Sequence, residues 1–233
     1  MNASGAEDAQ PVRIAVIGPT SLPWAAIRDE VEDDLERLRR GVALSYHPTG
    51  AGPEAVTSAE DAAAAAPHVV TTALEIAARG FDGIVVDCTE DPGVAEARGL
   101  VGIPVVGTGE ALRAAIEHAD GPIVALSGDE LRELDENAIV RRARGARTVA
   151  LGGSGFSHLA DVLGGAVPGA IVLDPLAVAL DACLASLGGG EEDLRPGGEG
   201  VPGQRAAGCD AVTHLDIATD AGNSSWFPTV HLT

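Results

Sequence analysis

The sequence predicts an α/β fold: open parallel sheets with helices on both faces, arranged as two pseudo-symmetric lobes of which the second is shortened. Three observations carry that expectation. Apolar runs of strand length alternate with helical patterns from Val12 to Leu187. The runs are unbroken rather than alternating, as strands buried on both faces are. The connections are short and punctuated by glycine and proline. At 233 residues the chain is long enough for one large domain or two small lobes. Aromatic residues make up only 3% of it, so the core is built from Ala, Val, Leu and Ile.

Val12–Ile17 reads as the first strand. The residues that follow predict a charged amphipathic helix over Trp24–Arg40, with Ile27, Val31, Leu35 and Leu38 on one stripe and Gly41 as its stop. Val42–Tyr46 is a second strand. Ser58–Arg79 is an Ala-rich helix capped by Ser58 and stopped by Gly80, and Gly83–Val86 is a third strand. A short helix over Pro92–Arg98, a brief strand at Val105 and Val106, a helix over Gly109–Ala119 and a strand over Pro122–Leu126 follow. Val149–Leu151 and Ile171–Leu173 complete the strands, each followed by a helical pattern.

The domain organisation follows from where this alternation stops. Residues 1–11 form a flexible N-terminus and 12–187 the α/β domain, with one lobe over about 12–120 and the other over about 121–187. Residues 188–208, rich in Gly, Pro and Glu, read as a linker. Residues 209–233 regain Trp226, Phe227 and Val230, able to dock on the body or on a neighbouring subunit, against the ordinary mobility of terminal segments.

Composition removes several functions. A formal net charge of −20 argues against nucleic acid and anionic lipid as partners. No apolar stretch reaches the roughly 20 residues that cross a bilayer, and Met1–Pro11 lacks a basic segment followed by an apolar run, so a cytoplasmic address is expected. Cys88, Cys183 and Cys209 form no CxxC pair, which indicates neither a disulfide framework nor a structural zinc. The six histidines show no HExxH pattern, and no GxGxxG or phosphate loop is present, so neither metal nor nucleotide cofactor is expected.

Cys88 is the best candidate for chemistry. It ends the apolar run Val85-Val86-Asp87 and is followed at once by Thr89-Glu90-Asp91-Pro92-Gly93, which starts a helix. A thiol at the carboxyl end of a parallel strand faces the crevice where such sheets bind ligands, and a helix N-terminus beside it favours the thiolate. The plainer reading is a small buried hydrophobe.

Several motifs in order then resemble the Asp/Glu/hydantoin racemase superfamily, the hydantoin racemase branch most closely, over about residues 12–187. Ile17-Gly18-Pro19-Thr20-Ser21 stands where the family has an Asn-Pro-Asn-Ser/Thr type turn, without the asparagines. Gly52-Pro53-Glu54-Ala55-Val56-Thr57-Ser58 matches the Gly-Pro loop after the second strand, and Cys88-Thr89-Glu90-Asp91-Pro92-Gly93 the first catalytic cysteine with its helix start. Pro104–Ala111 and Leu173-Asp174-Pro175 also fall in place. The family's second cysteine belongs to a Leu-Gly-Cys-Ala-Gly turn, which here reads Leu151-Gly152-Gly153-Ser154-Gly155. The stretch from Leu126 to Val149 is also shorter than the family's, so part of the second lobe is lost or rebuilt.

The resemblance implies cofactor-independent proton transfer at a carbon next to a carboxylate or carbonyl, on a small carboxylate or cyclic amide, by a homo-oligomer. Two thiols serve that chemistry in the family; here Cys88 alone remains as acid/base. Enolate oxygens need hydrogen-bond donors, and Pro19, Thr20, Ser21, Thr57, Ser58, Thr89, Gly153, Ser154 and Gly155 mark the loops that would bind substrate. Ser58 and Thr89 also read as ordinary caps and Ser154 as an ordinary turn residue. His158, five positions past Gly153, is the candidate to replace the missing thiol, although most surface histidines have no such role. Three functions therefore stand: an isomerase or racemase-like enzyme, a one-cysteine decarboxylase or lyase that protonates an enolate on one face, and a silent homologue that binds a ligand or partner.

Overall fold

The computed structural model describes residues 11–39 and 41–188. Residues 1–10, Arg40 and 189–233 lie outside the described residues, and with them fall the expected 188–208 linker beyond Gly188 and the expected 209–233 docking segment with Cys209.

The first sheet contains β1 (Arg13–Gly18), β2 (Ala43–Pro48), β3 (Gly83–Val86) and β4 (Val105–Gly107), all parallel in the order β2-β1-β3-β4. The second contains β5 (Ile123–Ser127), β6 (Thr148–Gly152) and β7 (Ile171–Leu173), parallel in the order β5-β6-β7. The expected strands are all present. The sequence ended β2 at Tyr46, whereas pairing with β1 carries it on to Pro48, a residue tolerated because β2 is an edge strand.

Alternation along the central strands divides the first sheet's cores. Ile14, Val16 and Val85 face α1 (Trp24–Leu38), α4 (Thr108–Glu117) and α8 (Pro175–Gly188). Ala15, Ile17, Ile84 and Val86 face α2 (Ala59–Ala78) and α3 (Val94–Leu100). Each fully buried Ile or Leu contributes about 1.5–3 kcal/mol, the main driving force in a core poor in aromatics. Ser58 caps α2 by accepting the Asp61 N–H at 3.1 Å, and Ala65, Val69, Ala73 and Ile76 form its buried stripe. On α1 the expected stripe buries Leu35, and it also buries Asp34, a carboxylate.

Between Leu126 and Val149 the chain builds two short helices, α5 (Gly128–Glu133) and α6 (Glu136–Ala143). They pack with α7 (His158–Ala166) around Leu126, Val149 and Leu151. After β7, α8 crosses back to the first sheet, where Cys183 lies fully buried. A methyl group on Gly83 would stand 2.5 Å from the Cys183 sulfur, so this thiol is a packing residue that requires glycine beneath it.

Candidate active site

Cys88 lies just past β3, half-buried, at the carboxyl edge of the first sheet. Its carbonyl accepts the Asp91 N–H at 3.0 Å, closing the turn. Asp91 adopts φ 50°, a left-handed conformation that aspartate tolerates, and its carboxylate crosses to α4. There Oδ1 accepts the Gly109 N–H at 2.8 Å and Oδ2 accepts Arg113 Nη2 at 2.6 Å. Methyl groups on Gly107 or Gly109 would overlap Asp91 or the Thr89 carbonyl, so the two glycines make room for this turn. Two motifs separate in sequence are therefore one packed unit holding Cys88 in place.

The electrostatics correct one expectation. The helix N-terminus was expected to favour a thiolate at Cys88. Instead burial, joined by the charges of Asp87, Glu90 and Asp91, pushes the thiol up to about 12, opposed by a hydrogen bond from the Glu90 backbone. The physical reason is burial first, and the helix that follows the turn, α3, begins only at Val94. Cys88 rests as a thiol, a proton donor.

The thiol borders an acidic group that sequence reasoning missed. Asp87, half-buried, continues the Val85 face and is raised to about 6, by burial first and by Asp174 and Glu30, against the lowering effect of its bond from Ser154. Asp34, on α1, is raised to about 7 by burial first, then by Asp174, Asp87 and Glu30, with Arg37 opposing. Asp174 is buried and caps α8, its Oδ1 accepting the Ala177 N–H at 2.9 Å. Asp87 and Asp174 stand at the ends of apolar runs, a legible signal; Asp34 sits among the many acids of α1 and offers none.

Across the crevice, Ser154 donates from Oγ to Asp87 Oδ1 at 2.7 Å, which joins the lobes beside Cys88. Arg37 of α1 pairs with Asp161 of α7 at the same boundary. Gly155, at φ 82°, lies against Glu30, where a methyl group would come within 2.5 Å of its carboxylate. Gly153, where a second thiol would stand, is buried, and a methyl group there would meet Phe156 Cε2 at 3.1 Å and Gly128 Cα at 3.2 Å. The Phe156 ring thus crowds the place of a side chain at Gly153, which it would have to yield by a few tenths of an ångström.

The other candidates divide. Pro19 is buried at the end of β1 and Thr20 and Ser21 are half-buried beside it. The Thr20 carbonyl accepts from Thr49 Oγ1 at 3.2 Å, and the Ser21 N–H donates to Pro53 at 2.9 Å, so the two loops of the first lobe are tied together. Thr57 and Ser58 both direct their hydroxyls at Asp61, 3.1 and 2.8 Å away, as a helix cap. Thr89 is half-buried within the Cys88 turn. His158 is exposed at the first turn of α7. Among the described residues no group of three or more His, Cys, Asp or Glu could hold a metal ion, and no helix is long and apolar enough to cross a membrane.

Residues 25–130 match the family model described as Asp/Glu/Hydantoin racemase. Comparison with curated proteins finds no match. Among solved structures, allantoin racemase from Klebsiella pneumoniae is similar at 21% identity and a TM-score of 0.61, with 75% of this chain and 86% of that chain covered. Allantoin racemase from Pseudomonas fluorescens is similar at 20% identity and a TM-score of 0.60, covering 82% and 100%. An arylmalonate decarboxylase is similar at 12% identity and a TM-score of 0.51, covering 77% and 94%. The chain thus resembles the Asp/Glu/hydantoin racemase family in sequence over a stretch that includes the Cys88 turn, and it shares with the allantoin racemases a fold of parallel sheets flanked by helices.

Proposed function

We propose that this protein is a cofactor-independent enzyme that moves a proton at a carbon next to a carbonyl, with Cys88 as its acid/base on one face. The observation that carries the reading is a thiol held protonated at the carboxyl edge of the first sheet, facing Gly153 in place of a second thiol, with Phe156 crowding that position. The fold is that of racemases and of a decarboxylase, which supports isomerase or lyase chemistry. The carboxylates of Glu30, Asp87, Glu90 and Asp91 near the thiol repel a second anion, so a neutral cyclic amide suits this site better than a dicarboxylate.

A single thiol that removes and returns a proton on one face exchanges that hydrogen with solvent and keeps the configuration. The test is proton NMR of 5-substituted hydantoins in deuterium oxide, followed in parallel by polarimetry. Exchange with retained configuration, lost in Cys88→Ala, is expected; exchange that survives Cys88→Ala refutes the reading. Racemisation at the exchange rate requires a second group, and its loss in His158→Ala identifies His158 as that group. The protonated thiol favours a second reading, protonation of an enolate formed by decarboxylation, which a panel of malonates tests by stereospecific deuterium incorporation. A homo-oligomer in the cytoplasm belongs to the same proposal.

A further inference from the structure

Tyr46 is the single tyrosine of the chain. In β2 it pairs in register with Val16 and follows Leu44 on the face covered by α1 and α8. Its ring stacks on Trp24, with centroids 5.5 Å apart and planes 21° apart. From there the hydroxyl reaches across β1 and lies over Gly18, where any side chain would overlap Oη and would come within 2.9 Å of Cε1. Gly18 ends β1, at the foot of the Pro19–Ser21 loop. The next strand end is Asp87, whose N–H donates to the Ile17 carbonyl at 2.9 Å, and Cys88 follows it.

We propose that Tyr46 is a further catalytic residue, whose phenol O–H, lodged over Gly18 beside Asp87 and Cys88, donates a hydrogen bond to the substrate oxygen on which charge develops. This rests on the proton-transfer reading above. In the protonation direction the electron pair of the enolate takes the Cys88 proton: a C–H bond forms, the S–H bond breaks, the thiolate remains, and the carbonyl is restored. In the reverse direction the thiolate takes the carbon-bound proton and charge returns to oxygen, where Tyr46 meets it without giving up its own proton. Burial, then Asp87, Cys88 and Glu30, push the phenol's ionisation up, so it stays an O–H donor throughout the neutral range. The stack on Trp24 fixes the ring, so the donor needs no reorganisation when charge appears.

Ultraviolet titration of the lone tyrosine tests the placement without a substrate. Tyrosinate is expected well above the ~10 of a free phenol, and Asp87→Asn is expected to bring it down. Titration at ~10 that ignores Asp87→Asn overturns the inference, whatever any substrate does. Tyr46→Phe keeps the ring and removes only the hydroxyl. In the exchange assay it is expected to lower kcat on the order of 10²–10³-fold, with KM within a few-fold and the urea midpoint unmoved. If Cys88→Ala abolishes exchange while Tyr46→Phe has no effect, this inference fails and the proton-transfer reading stands. If exchange survives Cys88→Ala, that reading fails and takes this inference with it.

Discussion

Asp34 and Asp87 make the stability of this fold depend on pH in a direction that can be worked out. Asp34 is 8% exposed and raised from 3.8 to about 7, by burial first and then by Asp174, Asp87 and Glu30. The folded chain therefore keeps a proton that the unfolded chain releases near pH 4, and stability falls as pH rises through this interval until Asp34 ionises in the folded state. At ~1.36 kcal/mol per pH unit the full loss is on the order of 4 kcal/mol, of which about 3 kcal/mol falls between pH 5 and pH 8. Asp87, raised from 3.8 to about 6, acts in the same sense over a narrower window, and the two are coupled, so their losses do not add. Urea unfolding of the wild type and Asp34→Asn at both pH values isolates the Asp34 share, because any fixed cost of the amide cancels in the pH difference. The variant is expected to gain about 3 kcal/mol on the wild type between pH 5 and pH 8. A gap that stays constant with pH would refute the placement of Asp34 in a buried acidic cluster.

Three other outcomes follow from the same geometry. Cys88, raised from 9.0 to about 12, should react with iodoacetamide at pH 7 about 10²-fold more slowly than a free thiol, the scarcity of thiolate outweighing its greater nucleophilicity. Peptide mapping reads this, and free-thiol reactivity would contradict the burial of the thiol and its acidic surroundings. Gly153→Cys should cost about 1–3 kcal/mol by urea unfolding, because its side chain meets Phe156 and Gly128, and Phe156→Ala in the same chain should recover part of that loss. Additive effects of the two would show that Phe156 does not crowd the site. Thr108 is fully buried with no hydrogen-bond partner for Oγ1 among the described residues, so Thr108→Val should stabilise by about 1 kcal/mol, and a destabilised variant would reveal a partner.

The strands of residues 12–187 were legible because both faces of each sheet are covered, which writes segments such as Ile14–Ile17 and Ile84–Val86 as unbroken apolar runs, whereas their order in the sheets was not. Pro48 was missed as strand because edge position, which makes proline acceptable, is a property of the sheet and not of the segment. The Cys88 turn was legible as a motif, but its link to Gly107 and Gly109 was not, since glycine records only that a side chain is absent and not what takes its room. The same holds at Gly18 and Gly153, whose neighbours, Tyr46 and Phe156, are set by packing. The thiolate expectation failed because local sequence shows a helix start but neither the depth at which the thiol is buried nor the carboxylates around it; burial leads, and Asp87, Glu90 and Asp91 add to it.

The carboxylates around Cys88 differ in the partners that balance their charge. Asp91 meets the Arg113 guanidinium at 2.6 Å and the Gly109 amide at 2.8 Å, so its charge is balanced on the α4 side of the turn. Asp87 receives a neutral hydroxyl, Ser154 at 2.7 Å, and faces Asp174 and Glu30 as further negative charge. The charge on Asp87 is thus the one that a change of partner alters most. A substrate amide N–H that displaced Ser154 would stabilise the carboxylate, whereas an anion placed there would drive it towards protonation. The lobes meet through that same hydrogen bond, so a ligand able to donate to Asp87 can replace the contact it breaks, and a ligand able only to accept cannot. On the proposed function, this asymmetry, more than net charge alone, favours a cyclic amide, with its N–H beside a carbonyl, over a dicarboxylate.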